Sequence, residues 1–307
     1  MLFTDPNGGA LGFAKDPAVI RLKNTYFLYY SIYFKGENEE NGVLKIGIAT
    51  SSDMEHWSTQ GYLPLTQECE QKGIGAPAAY VEGDTVHLFY QTYGNWENDA
   101  LCHATSKDGL QFQKDPTNPI FRPTKDWCCG RAIDADAVAF GDKLFLYFAT
   151  RDHAMEIQKL GVAYAPLGSD YSRDTWTQAV NASILFPEEA WEGKCIEAAA
   201  TFVRNGKVYL FYGGSFNCAP QQIGYAVSSD GVHFQKPTPN LPFIPCGNEG
   251  DWNASESGHP YAFIDSDGSI HLFYQGSPDK GKTWYLSRCE LTFDGDTPRV
   301  RTFHNEP

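Results

Sequence analysis

No stretch of this 307-residue chain approaches the roughly 18 to 20 consecutive apolar residues needed to cross a bilayer as a helix. The first residues, Met1-Leu-Phe-Thr-Asp-Pro-Asn-Gly-Gly9, lack the basic-then-apolar order of a secretory leader. A cytoplasmic location is therefore expected, or a periplasmic or secreted one if a leader has been trimmed. Positive charge is scarce: 24 Lys and Arg stand against 38 Asp and Glu, for a net charge of −14. A surface of that sign argues against nucleic acid and anionic membrane as partners, and is easier to reconcile with neutral substrates or cations. The eight cysteines (69, 102, 128, 129, 195, 218, 246 and 289) are scattered, with no Cys-x-x-Cys or Cys/His spacing of a zinc site. In a chain this large they read as buried thiols rather than a disulfide framework.

Aromatic residues and turn formers, by contrast, are plentiful. Aromatics make up 14% of the chain, with 29 Gly and 18 Pro. This favours β structure, and the order within it is a repeat. Thr25-Tyr-Phe-Leu-Tyr-Tyr-Ser31 is echoed by Thr85-Val-His-Leu-Phe-Tyr-Gln91, Lys143-Leu-Phe-Leu-Tyr-Phe-Ala149, Lys207-Val-Tyr-Leu-Phe-Tyr-Gly213 and Ser269-Ile-His-Leu-Phe-Tyr-Gln275. The starts are 60, 58, 64 and 62 residues apart. A near-fixed period with one core motif is the signature of a repeat architecture.

Each copy opens with a short apolar strand, such as Ala137-Val-Ala139 or Ala200-Thr-Phe202, followed by a polar turn and the aromatic strand. A third strand follows, then a Ser-x-Asp turn into a fourth: Ser51-Ser-Asp53, Ser106-Lys-Asp108 and Ser228-Ser-Asp230. These turns resemble the Asp boxes of sialidase propellers, and their plain reading is a hairpin tied by an Asp side chain to its own backbone. The third copy has the longer Pro166 to Trp176 instead. Four antiparallel strands in each of five copies predict an all-β, five-bladed β-propeller, with residues 1–307 forming one domain. The fifth copy lacks a fourth-strand signature; Arg299 to Phe303 or the N-terminal Leu2-Phe3 are the candidates to complete it.

The copies differ where chemistry would sit. Nine residues before each aligned start stand Asp16, Ala76, Asp134, Ala198 and Pro260, with Glu197 and His259 one residue earlier in the last two. First strands of propeller blades line the central axis, so these side chains should meet at one mouth of the channel. Each alone has an ordinary explanation: a turn at Asp16-Pro17, a solvated loop at Glu197, a satisfied core histidine at His259. Together, carboxylates in matched register repel one another and raise one another's pKa, an arrangement costly without purpose. Glycoside hydrolysis uses such a set: a protonated carboxyl as general acid, an ionised carboxylate opposite, and a third to tune the acid.

These motifs resemble glycoside hydrolase family 43 and its relatives among five-bladed-propeller glycosidases (families 32, 62, 68 and 117) over essentially the whole chain. The resemblance implies that Asp16, in Lys15-Asp-Pro-Ala-Val-Ile20, is the general base. It implies that Asp134, in Ile133-Asp134, modulates the acid's pKa, and that Glu197, in Ile196-Glu197, is the general acid. Gly75-Ala-Pro77 is similar to the family's Trp-Ala-Pro, with Gly in place of Trp. Gly258-His259 is similar to a Gly-His motif whose His faces the axis, so a calcium ion near His259 is possible, although the chemistry requires no cofactor. Asp134 is followed by Ala rather than Pro and Glu197 by Ala-Ala rather than Gly-Pro, which suggests a divergent subfamily. Asp5-Pro-Asn-Gly8 resembles the family 32 nucleophile box, but it misses the axial register and reads as a turn.

Further candidates for a carbohydrate pocket lie in loops after the second strands: Tyr93, Trp96 and Glu97; Arg151, Asp152 and His153; Phe216 and Asn217; Gln221 and Gln222. Trp127, Arg131, Trp252 and Glu256 flank the axial strands. Aromatic faces stack on sugar rings and Arg, Asn and Gln donate to hydroxyls. Trp96, Trp127, Arg131, Arg151, His153, Trp252 and His259 are taken as the substrate-binding set. The expected activity is an exo-acting, inverting α-L-arabinofuranosidase or β-xylosidase acting on an oligosaccharide or polysaccharide. The alternatives are a retaining fructosidase-like enzyme, a propeller phosphorylase using phosphate, and a sugar-binding propeller without catalysis.

Overall fold

The computed structural model describes residues 1–9, 11–34 and 42–301. It contains five four-stranded antiparallel sheets. Blade one holds β1 (Lys15–Leu22), β2 (Thr25–Phe34), β3 (Val43–Ser51) and β4 (Ser58–Tyr62). Blade two holds β5 (Ile74–Glu82), β6 (Thr85–Thr92), β7 (Leu101–Ser106) and β8 (Gln113–Lys114). Blade three holds β9 (Ile133–Phe140), β10 (Lys143–Arg151), β11 (Gln158–Pro166) and β12 (Thr177–Gln178). Blade four holds β13 (Ile196–Arg204), β14 (Lys207–Gly214), β15 (Gln222–Ser228) and β16 (Phe234–Gln235). Blade five holds β17 (Glu256–Ile264), β18 (Ile270–Ser277), β19 (Tyr285–Asp294) and β20 (Thr297–Val300). Each first strand packs against the first strands of the two adjacent blades, in the order β1, β5, β9, β13, β17 and back to β1, which closes the ring of a propeller. Among the described residues no helix is long and apolar enough to cross a membrane.

The repeated motif forms the core because alternate residues of each second strand face opposite neighbouring blades. Leu28, Leu88, Leu146, Leu210 and Leu272 occupy one position of the motif and are fully buried in every blade. Two positions on stand Tyr30, Tyr90, Phe148, Tyr212 and Tyr274. Three of these tyrosines donate their hydroxyl to a buried carboxylate: Tyr30 to Asp5, Tyr90 to Glu70 and Tyr212 to Glu192. A buried hydroxyl left unpaired would cost about 1–3 kcal/mol, so these acids serve the scaffold. Asp5 also accepts from the Asn7 amide at 2.9 Å, which makes Asp5-Pro-Asn-Gly8 a short turn packed on blade one.

Both candidates for closing the ring are used. β20 pairs with β19 over Leu291–Asp294, and Phe3 pairs with Leu286 farther along the same strand. Thr302 and Phe303 lie outside the described residues. The Ser-x-Asp turns are tied as expected: Asp53, Asp108 and Asp230 each accept two downstream backbone amides. All eight cysteines are free thiols.

Candidate active site

The first strand of every blade carries a bulge at the same place. Pairing skips between Lys15 and Ala18, Gly75 and Ala78, Glu197 and Ala200, and Gly258 and Tyr261. In blade three it skips on the partner strand's count between Tyr147 and Ala149, opposite Asp134. The bulged residue takes positive φ in all five blades: Asp16 (52°), Ala76 (43°), Asp134 (51°), Ala198 (55°) and His259 (43°). A non-glycine residue in that region costs on the order of 1–3 kcal/mol, and bulges re-aim side chains. The alanines show that the conformation belongs to the scaffold; the chemistry is placed upon it.

What holds the bulge is a chain of bonds from blade to blade. The Asp16 amide donates to Gln275 of blade five at 3.0 Å, and the Ala76 amide to Ser31 of blade one at 2.8 Å. Likewise the Asp134 amide donates to Gln91 at 2.7 Å and the His259 amide to Gln221 at 3.1 Å. A Cβ on Gly258 would collide with Gln221, so glycine is required beside His259.

Asp16, Asp134, Glu197 and His259 share one pocket of about 340 Å³. His259 Nε2 lies 3.4 Å from Asp16 Oδ1 and 3.3 Å from Asp134 Oδ1. Burial works against its charge, but Asp16 and Asp134 outweigh this and raise the imidazole to about 9. Burial alone would raise Asp16; instead His259, then Lys15 and hydrogen bonds at Ser31 and Ala76, hold it below the ordinary carboxylate range. Glu197 goes the other way. Burial first, and repulsion from Asp134 second, push its carboxyl up to about 7 against His259, Gln221 and Lys15. Its oxygens accept from Gln221 Nε2 at 2.7 Å and from Gln158 Nε2.

Of the expected binding residues, Arg131, Arg151 and His259 line this pocket, as do Tyr93, Phe216 and Asn217. Trp96 is an exposed rim residue whose ring lies 5.9 Å from the Arg131 guanidinium and 5.5 Å from that of Arg151. Trp127, Trp252 and His153 do not line the pocket, which corrects their assignment. The Trp127 ring fills space over Gly161 beside Phe148, with Lys159 5.2 Å from its centroid. Trp252 covers Gly276 and packs 5.4 Å from Tyr274. Each indole plugs the outer side of a second-strand aromatic. His153 is exposed and its Nε2 bonds the Asp126 carbonyl at 2.7 Å. Glu256 is buried beneath the pocket, accepting from Gln275 Nε2 at 2.6 Å and the Cys218 amide at 2.6 Å.

Sequence reasoning missed Gln158, Lys15 and Leu44. Gln158 is fully buried and joins Arg151 to Glu197. Lys15 lines the pocket with its ammonium 4.4 Å from the Trp284 ring. Leu44 sits where a Cβ on Gly75 would fall; it fills part of the space that tryptophan would take at position 75, and Gly75 was the available signal.

The axial side chains fit a calcium ion poorly. Calcium takes six to eight oxygens, whereas here an imidazole held positive already stands between the two carboxylates. A second cavity, of about 760 Å³, opens at the other end of the axial strands. Its buried carboxyl, Asp136, accepts from the Thr201 amide at 2.7 Å and from the Thr201 hydroxyl. Though this cavity is larger, its second carboxyl, Asp265, is already committed to the Arg21 guanidinium at 2.9 Å and the Tyr26 hydroxyl at 2.6 Å.

A carboxyl raised toward neutrality and a carboxylate held ionised, together on a propeller axis, suit the acid–base chemistry of glycoside hydrolysis. The model of glycosyl hydrolase family 43 matches residues 10–295, and the chain belongs to that family. It is a glycoside hydrolase. Among curated protein sequences none gives a significant match. Solved structures with the same fold include a thermostable family-43 glycoside hydrolase, with TM-score 0.77 and 20% identity, covering 99% of this chain and 97% of that one. An endo-1,4-beta-xylanase from Bacteroides thetaiotaomicron has TM-score 0.70 at 19% identity, with 94% of each chain covered. An alpha-L-arabinofuranosidase from Lactobacillus brevis has TM-score 0.71 at 16% identity, with 93% of each chain covered.

Proposed function

We propose that this enzyme is an exo-acting, inverting glycosidase on pentose-containing glycans, of the α-L-arabinofuranosidase or β-xylosidase type. The observation that carries the reading is the opposite displacement of two carboxyls in one pocket: Glu197 up to about 7 and Asp16 downward. In this reading Glu197 donates its proton to the glycosidic oxygen while Asp16 takes a proton from the water that attacks the anomeric carbon. Asp134 keeps the Glu197 proton in place by repulsion, and His259 keeps Asp16 ionised beside it. A pocket of about 340 Å³ lies at the small end of ligand sites, which suits removal of a terminal sugar. The pentose assignment draws on the xylanase and arabinofuranosidase among the structural neighbours and on family membership.

The test is a screen of aryl arabinofuranosides, xylosides, galactosides and fructofuranosides, with the product anomer read by NMR before mutarotation. Release of the inverted anomer from a pentoside is expected. Retention of configuration, or turnover confined to the fructofuranoside, would refute the assignment.

A further inference from the structure

Beside the carboxyls, one wall of the pocket carries a charge excess of the other sign. Arg131, 8% exposed, and Arg151, half-buried, both line the cavity and both lie against Trp96. Arg151 is lowered from its usual range by burial first and by repulsion from Arg131 second. Two guanidiniums packed together call for a neighbouring anion, and little is supplied. Arg131 has one carboxylate, Asp99, at a long 3.7 Å, and a 3.4 Å bond to Gln158. Its buried Nε has no hydrogen-bond partner. Arg151 bonds only neutral oxygens, Gln158 Oε1 at 2.7 Å and the Met155 carbonyl at 3.1 Å. Among the described residues no carboxylate lies within ion-pair distance of Arg151. The Phe216 ring, 5.1 Å away, and Trp96 hold its cation without neutralising it.

The remaining cations of the pocket are already matched. His259 faces Asp16 and Asp134, and Lys15 is held by the fields of Asp16 and Glu256. The unmatched charge is thus confined to the Arg131–Arg151 wall, and Gln158 ties that wall to Glu197 through its two ends. A planar guanidinium pair matches the two oxygens of a carboxylate.

We propose that Arg131 and Arg151 form an anionic subsite that binds the carboxylate of a uronic acid adjoining the scissile oxygen, so that the substrate is an acidic, uronate-bearing glycan. This rests on the glycosidase reading of Glu197, because Gln158 sets the subsite beside that group.

The experiment uses the full chain and two panels of oligosaccharides: uronate-containing xylan and pectin fragments, and the same fragments after carboxyl reduction. Binding is read by calorimetry and cleavage by product release, in phosphate-free buffer and again with inorganic phosphate added. The expected result is binding at least 10-fold tighter for the uronate panel. Arg151→Gln should cut the ratio of kcat/KM for the uronate panel to that for the reduced panel by about 10- to 100-fold, as fits loss of one charge-assisted contact. Arg131→Lys, which keeps the charge of a buried site, should lose less than Arg151→Gln. Equal affinity for the two panels, absence of binding to both, or a uronate preference that survives Arg151→Gln overturns the proposal. Turnover that requires inorganic phosphate overturns it too, by assigning the arginines to a phosphate co-substrate. Arginine-dependent binding of uronates without cleavage of either panel would uphold the subsite and refute the acid–base assignment instead.

Discussion

Asp134→Asn tests the link between a buried repulsion and a pH profile. Raising Glu197 from its ordinary 4.5 to about 7 corresponds to about 3 kcal/mol in favour of the neutral form, at ~1.36 kcal/mol per tenfold. At pH 7 this holds about half of the molecules protonated, against about 0.3% for an unshifted carboxyl, a gain of about 150-fold in the competent acid. The activity of the wild type should therefore fall above pH 7 with unit slope in log kcat/KM. Asp134 is the second cause of the rise, after burial. Its neutralisation should move the alkaline limb downward without returning it to 4.5, because the burial remains. His259 stays charged beside Asp16, so its own opposing influence persists. The assay is kcat/KM from pH 4 to 9 on one substrate, with circular dichroism to confirm folding. An alkaline limb that stays in place, or moves upward, in Asp134→Asn would refute the role given to this aspartate.

Other expectations follow from the same geometry. Glu197→Gln should lose at least 10³-fold on glycosides with alkyl leaving groups and far less on activated aryl glycosides, which leave without a proton; equal losses on both would remove Glu197 from the acid's place. Asp16→Asn should abolish turnover of both kinds while leaving the melting curve intact within a few degrees. Asp5→Asn should do the opposite, retaining kcat while destabilising the fold by about 1–3 kcal/mol through the Tyr30 and Tyr62 hydroxyls it receives; lost activity in a folded Asp5→Asn enzyme would reopen the fructosidase reading. His259, raised from 6.5 to about 9, contributes stability that is fully present below 6.5 and lost as the pH rises through 9. The melting temperature should fall over that window, and His259→Gln should flatten the fall; an unchanged alkaline slope in the variant would show that other groups govern it.

The blade pattern was legible in the sequence because the same leucine must be buried in each blade, from Leu28 to Leu272. Asp16 and Asp134 were legible for a related reason: a backbone bulge repeated at fixed distance from that strand marks their slot. His259 fell one position out of count because the hairpin between Ile264 and Ile270 is one residue longer than its counterparts; in the fold it occupies the slot itself. Gln158 was not legible. It opens β11 after the loop from Asp152, a connection whose length and sequence differ from blade to blade, and only the folded chain shows it between Arg151 and Glu197. The tryptophans misled in the other direction. Near a sugar site an indole suggests a stacking platform, yet the bare backbone at Gly161 and Gly276 offers a larger apolar seat, and Trp127 and Trp252 take it.

Glu197 truly stands one residue before the slot, and that offset separates the surroundings of the proposed acid from those of the proposed base. Ala198 takes the positive φ of blade four, while Glu197 pairs across the sheet with Gly213. The side chain missing at Gly213 leaves room for Gln221, which clamps one Glu197 oxygen and the His259 amide together. Side chains in the slot, Asp16 and Asp134, come within 3.4 Å of the His259 nitrogen. Glu197 makes no such ion pair among the described residues and receives neutral amides instead. Desolvated without a close cation, a carboxyl keeps its proton; desolvated beside one, it gives the proton up. The division of labour proposed for Asp16 and Glu197 thus follows from a shift of one residue in register along otherwise equivalent strands.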